Sequence, residues 1–283
     1  MQEERGGETR VIARSARGGA ATADRGALER LYRRYNDARY VSPDPLEFVY
    51  RYEGWRDREV VALVASSLAF GTVKQICRSV ALALEPLGRS PADFLTSISP
   101  RDLAAAYRGF KHRWITGADM ASMLGGVGAA LRECGSLRAL FVGGLDDTEA
   151  DVAPATERFV EYIHRRGAGF RPCLLPSPSS GSACKRLNLF LRWMVRSDAV
   201  DPGLWSEVPA GMLIVPLDTH MYRISRMFGF TERRTADLSA AREATEGFRR
   251  ISPHDPVKYD FALTRLGILK GYRAEVSFAA LHC

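Results

Sequence analysis

No stretch of the chain approaches the ~18 uninterrupted apolar residues of a membrane-spanning helix. The first 20 residues also lack the apolar core of a signal peptide. Cysteine is sparse: Cys77, Cys134, Cys173, Cys184 and Cys283 are dispersed, with no CxxC pair and no zinc or iron–sulfur spacing. An odd, scattered set argues against a disulfide framework and suits a reducing cytosol. A cytoplasmic protein without membrane association is therefore expected, and nothing calls for a metal or organic cofactor. Alternating strands joined by hairpin-turn residues are missing too, which removes the usual signal for a sheet. Residues 1–22 are rich in Gly, Ala, Arg and Glu without hydrophobic periodicity, and are expected to be a disordered tail.

What remains is ordinary globular material, 46% hydrophobic and 26% charged, enough for a real core. The net charge is +7 and unevenly placed. From Tyr162 to Ser197 there are seven basic residues (Arg165, Arg166, Arg171, Lys185, Arg186, Arg192 and Arg196) and no Asp or Glu. The rest of the chain holds 33 basic and 33 acidic residues. A local basic excess is the electrostatic mark of a phosphate-rich partner. DNA is the expected partner, with RNA or another polyanion as alternatives and a solvated arginine-rich surface as the plainer reading.

Nearly every periodic segment carries the helical repeat. Helices are expected at about 26–39, 44–53, 56–70, 72–87, 100–108, 117–133, 148–166, 183–197, 217–228, 235–250 and 256–269. Ser42-Pro43-Asp44-Pro45 reads as a helix start, and Gly71, Gly88, Gly167 and Gly229 as left-handed terminators. Residues 57–70 are apolar almost all round, which predicts a central buried helix. The expected fold is all-α: one domain over 23–283, divided into two lobes, with an insertion of about 90–165 forming much of one lobe.

Two helix starts carry the chemistry. After the Pro/Ser/Gly loop Cys173–Gly181, Ser182 is a candidate N-cap that places Lys185 in the first turn. Leu187, Phe190, Leu191, Met194 and Val195 form the apolar stripe of that helix, leaving Lys185, Asn188, Arg192 and Arg196 on the other side. The positive end of the helix dipole and neighbouring Arg186 both disfavour a charged lysine and so favour a nucleophilic amine. The plain reading is a solvated surface lysine. Asp218 follows the apolar stretch Val208–Leu217 and precedes Thr219-His220-Met221-Tyr222-Arg223. It reads either as an N-cap worth about 1 kcal/mol or as a carboxylate that stabilises developing positive charge on a sugar.

The stretch VPLDTHMYRISRMFGF (Val215–Phe230) resembles the aspartate segment of the helix-hairpin-helix DNA glycosylases. Pro216, Asp218, Thr219, His220, Arg223, Arg226 and Gly229 carry the match. In bifunctional members a lysine opens the helix after the hairpin, and Lys185 stands at that place. The Lys185–Asp218 spacing is longer than in the commonest members and is similar to that of the archaeal 8-oxoguanine glycosylases. Residues 44–49 and the apolar helix after them look like the family's first core helices, and 260–267 like its closing helix. From about 25 to 270 the chain also looks like an uncharacterised bacterial family. Where glycosylases have a Leu-Pro-Gly-rich hairpin, Leu175–Gly181 keeps only Leu, Pro and one Gly, so the resemblance implies a degenerate hairpin. Some members' iron–sulfur cysteines are absent, and 90–165 has no counterpart.

The resemblance implies a base-excision glycosylase and AP lyase with Lys185 as nucleophile and Asp218 as its carboxylate. Arg186, Arg192, Arg223 and Arg226 would grip DNA phosphates, and Trp193 and Trp205 would stack on an extruded base. The plainer place for these tryptophans is the core. His220 is expected to be a structural hydrogen bonder near the site. Two other classes compete: a non-catalytic nucleic-acid-binding helical protein, and a metal-dependent phosphohydrolase built on His254-Asp255 and Asp260.

Overall fold

The computed structural model describes Ala13–Arg14 and residues 22–270. Cys283 and most of the expected tail lie outside the described residues. Within that tail, Ala13–Arg14 (β1) pairs antiparallel with Thr22–Ala23 (β2). The fold is all-α. Among the described residues no helix is long and apolar enough to cross a membrane.

The chain begins with α1 (Arg25–Tyr35), capped by Asp24. The expected helix at 44–53 is a 3-10 turn over Pro45–Arg51, started by Asp44 with Pro at its first position. The helix at the centre, α2 (Trp55–Ser67), is buried continuously from Glu59 to Ser67, as its all-round apolar sequence predicts. Next comes α3 (Val73–Leu84), which opens with a reciprocal Thr72–Gln75 capping box.

Two short helices without an expected counterpart lie in the 90–165 region: α4 (Pro91–Ser97) and α7 (Leu137–Gly143). Each is seven residues long, under two turns, so neither shows a repeat that can be told from chance. Between them run α5 (Pro100–Ala106) and α6 (Gly117–Cys134). The hairpin Lys111–His112 (β3) with Ile115–Thr116 (β4) is likewise absent from the sequence reading. Its turn is Arg113-Trp114, with Arg113 itself at φ +54, where such turns usually carry Gly or Asn.

The remaining helices are α8 (Ala153–Arg166), α9 (Lys185–Val195), α10 (Thr219–Met227), α11 (Leu238–Arg249) and α12 (Asp260–Lys270). Helix α9 packs across α2, and α12 packs against α1 and α10. In the 90–165 region α6 packs on α4, α5, α7 and α8. One contiguous buried cluster reaches from Ala27 to Leu263 and takes in all these layers. Gly167 ends α8 at ordinary negative φ, so it is no left-handed cap. A Cβ there would sit 2.4 Å from the Ser122 carbonyl oxygen, and one on Gly126 would sit 2.3 Å from that of Ile163. Both glycines are spacing devices that let α6 and α8 touch.

One buried carboxylate joins three parts of this core. Glu59, fully buried on α2, accepts the Trp205 indole N–H at 2.6 Å and the Leu137 and Arg138 backbone N–H groups at 3.1 Å. It therefore serves as a tertiary cap on α7. Burial pushes its pKa up to about 7, against the pull of Trp205 and the two amides. A raised carboxyl pKa stabilises the fold fully below about 4.5 and loses that stabilisation as pH rises through about 7. Relative to Glu59→Gln, the wild type is expected to lose on the order of 3 kcal/mol between pH 4.5 and 8. Urea midpoints for both proteins across that range measure it, and parallel pH profiles would sink the assignment.

Candidate functional site

Ser182 does not cap α9. It is held in an extended bridge with Asp237, beside a Leu238 N–H to Gly181 carbonyl bond of 3.1 Å. The cap is Cys184, in the left-handed region at φ +46, and its N–H donates to Ser182 Oγ at 3.2 Å. Lys185 is consequently the first residue of the helix, two positions nearer its end than expected. It is half-buried.

Asp218 caps α10, its Oδ1 accepting the N–H groups of His220 and Met221, both at 2.9 Å. Those bonds use one carboxylate oxygen. Among the described residues Oδ2 makes no hydrogen bond, and the side chain is half-exposed. The cap reading of Asp218 is therefore correct, and it leaves half of the carboxylate available.

A third helix start completes the group. Asp260, first residue of α12, is buried and accepts from Arg192 Nη1. Burial pushes its pKa up to about 6; Arg192 opposes this, Asp218 adds to it, and Lys185 opposes it. Asp260 thus lies within the electrostatic reach of both Lys185 and Asp218. Helix α12, which Asp260 opens, packs against α10, and Asp260 is tied to α9 through Arg192. The sequence places Asp260 near a helix start, but only the tertiary packing reveals this company.

Arg192 and Arg196, expected on the open side of α9, are instead buried, at 3% and 5% exposure. Arg192 donates to Asp201 at 3.1 and 3.2 Å as well as to Asp260. Arg196 pairs with Asp198 at 2.9 Å, with Asp255 at 3.0 Å and with Asp201. Burial opposes their charge, but the carboxylates outweigh it and hold both guanidinium pKa values above normal. Arg192 is thus removed from any phosphate interface. Of the basic residues in Tyr162–Ser197, Arg192 and Arg196 are neutralised by carboxylates from later in the chain, and Arg166 and Arg171 pair with the earlier Glu133 and Asp119.

Arg186 is also turned inward. It donates to the Ser67 and Cys173 carbonyl oxygens and lies 4.7 Å from the Phe70 ring centroid. Arg223 and Arg226 are exposed on α10, with Arg226 6.0 Å from the Tyr222 ring. Trp193 and Trp205 are wholly buried, so neither can stack on an extruded base; the plainer core placement is the observed one. His220 contributes its backbone N–H to Asp218, and its ring makes no hydrogen bond among the described residues.

The degenerate hairpin has an occupant. Glu157 on α8 accepts Ser177 Oγ at 2.5 and 2.6 Å, the Ser179 N–H at 2.8 Å and Ser179 Oγ at 3.0 Å. Burial disfavours the charged carboxylate, yet the two serines hold its pKa below the usual range. The donors that a glycine-rich hairpin would offer to a phosphate are spent on the chain's own anion.

Asp255 of the His254-Asp255 pair is bound by Arg196, and His254 is exposed. Among the described residues no three His, Cys, Asp or Glu side chains gather in a way that could hold a metal ion. A cavity of about 440 Å³, lined by residues including Leu140, Arg158 and Tyr162, includes neither Lys185 nor Asp218 in its wall.

The described residues form an all-α fold in which Lys185 opens α9, Asp218 caps α10 and Asp260 opens α12. The chain belongs to the DUF2400 family, described as proteins of unknown function, whose family model matches residues 44–269. No curated protein and no solved structure matches it.

Proposed function

We propose that this protein acts on DNA as a base-excision glycosylase and AP lyase, with Lys185 as nucleophile and Asp218 as its acid–base partner. The reading is supported by Lys185 as the half-buried first residue of α9 and by Asp218, which caps α10 through Oδ1 alone. The lysine amine attacks the anomeric carbon of an extruded nucleotide and the C–N bond to the base breaks. Loss of an amine proton and opening of the sugar ring give a Schiff base. Elimination of the 3′ phosphate then cuts the strand. The free oxygen of Asp218 accepts the amine proton and stabilises positive charge on the sugar. Asp260 acts as a positioning residue: it holds Arg192 in the floor of the site and sets the field around the other two groups.

Among the arginines named for the phosphate grip, Arg186 and Arg192 are committed internally, and exposed Arg226 of α10 is the candidate contact in this reading. Removing Arg186 and Arg192 from the interface implies a shallower salt dependence of binding than four phosphate contacts would give.

Borohydride trapping on an abasic-site duplex tests the reading. Wild type is expected to form a covalent adduct and Lys185→Gln none. Equal trapping by both would show that the lysine is not the nucleophile. DNA binding by wild type without trapping would favour the non-catalytic nucleic-acid-binding reading.

A further inference from the structure

Trp193 and Trp205 are buried and cannot meet a base, but another tryptophan is exposed. Trp114, at the tip of the β3–β4 hairpin, is 48% exposed. Its indole stacks on Phe70, with centroids 5.1 Å apart and planes inclined by 26°. Phe70 lies in turn against Arg186, the residue after Lys185. The Trp114 indole N–H donates to Cys173 Sγ at 3.2 Å, and Arg186 donates to the Cys173 carbonyl. The Phe70–Trp114 pair is thus built onto the start of α9.

Single exposed aromatics are common on protein surfaces and need no explanation. This one is held outward by its surroundings. His112 is buried, and its two ring nitrogens meet Ser79 Oγ at 2.8 Å and the Phe70 carbonyl at 3.1 Å. A carbonyl only accepts, so Nε2 carries the proton and Nδ1 accepts from the serine. Those bonds pin the hairpin to α3 and to the segment that leads into it. Arg113 takes a left-handed conformation rare for a side-chain-bearing residue, and the turn it makes projects Trp114. A rigid, pre-placed ring loses little freedom when something stacks on it.

The charge around the ring selects the occupant. Between Asp102 and Asp119 the hairpin and its flanks carry Arg108, Lys111 and Arg113. Arg113 lies 4.8 Å from the indole centroid. Such an exposed cation–π contact is weak beside base–aromatic stacking, so the arginine gives way to a base and turns to its phosphate. A flat π surface with Arg113 over it and Arg186 behind its Phe70 partner suits an aromatic anion, and a nucleotide is the one that accompanies the proposed chemistry.

We propose that Trp114, backed by Phe70 and flanked by Arg113 and Lys111, is the platform on which an unpaired base of DNA stacks beside the Lys185 site. The assignment rests on the proposed DNA function and names the residue that positions the strand. Titration with a fluorescently labelled single-stranded DNA and with an abasic-site duplex tests it. The variants are Trp114→Ala, Trp114→Phe and, as a control, Trp55→Ala. Trp55 is similarly exposed but opens α2, some 20 Å from its Phe70 end.

Trp114→Ala is expected to weaken single-strand binding by about 5- to 100-fold. Trp114→Phe should restore it to within about threefold, and Trp55→Ala should leave it unchanged. Quenching of tryptophan emission by unlabelled DNA should vanish in both Trp114 variants. Unchanged affinity in Trp114→Ala, an equal loss in Trp55→Ala, or no DNA binding by wild type would overturn the platform. The lysine chemistry fails separately: Trp114-dependent binding without Lys185-dependent trapping leaves the platform standing and removes the glycosylase. Trapping without any effect of Trp114→Ala does the reverse.

Discussion

Asp218→Asn is expected to slow strand cleavage at an abasic site by about 10²- to 10⁴-fold while leaving the melting temperature nearly unchanged. The two roles of this residue separate because they draw on different properties. Capping α10 needs only an oxygen that accepts the His220 and Met221 N–H groups, and an asparagine does that about as well as an aspartate. Proton transfer and stabilisation of a cationic sugar need the negative charge, which asparagine lacks. Asp218→Ala removes both and is expected to cost about 1 kcal/mol of stability in addition. Borohydride trapping through Lys185 should persist in Asp218→Asn at a reduced rate, since the amine remains. The variant also removes the like charge that helps to raise the Asp260 pKa, so any acid limb near pH 6 in the cleavage profile should move downward. Cleavage by Asp218→Asn within about threefold of wild type would reduce Asp218 to a helix cap.

The helices that position this site were legible wherever a long apolar stripe or a capping residue marked them. Leu187, Phe190, Leu191, Met194 and Val195 are all buried, as the periodicity of α9 requires. The opposite face was misjudged for a physical reason. Charged residues off the stripe are normally solvated, but Arg192 and Arg196 are met by Asp198, Asp201, Asp255 and Asp260. Two of those partners lie more than 50 positions downstream of their arginine, beyond the reach of any local pattern. Trp114 was passed over for a related reason. Its hairpin turn has none of the usual turn residues, and its place beside Arg186 depends on Phe70 and Cys173, remote segments brought together by packing. The Ser182 cap failed through competition, because the bridge to Asp237 claims that segment first.

Replacement of Asp201 by alanine is expected to be the most destabilising single change in this region, about 3–5 kcal/mol. Its carboxylate is fully buried between two arginines that are themselves almost without solvent. Removal leaves both guanidinium groups buried, with donors facing a small cavity, and a lost partner costs far more than the net worth of an intact ion pair. A chain whose whole stability is of the order of 5–15 kcal/mol gives up a large share of it. The melting temperature should fall by roughly 6–20 °C, and urea unfolding at constant m-value would measure the same loss. A loss below about 1 kcal/mol would mean that solvent reaches the arginines, since exposed pairs are worth no more. Asp201→Asn keeps the shape and an accepting oxygen, and should therefore fall between the two. The same change bears on chemistry, because Arg192 is shared between Asp201 and Asp260. With Asp201 gone, Arg192 is free to follow Asp260 or to leave it, so folded Asp201→Asn should show a disturbed cleavage profile near pH 6 even though Asp201 itself touches no reacting group.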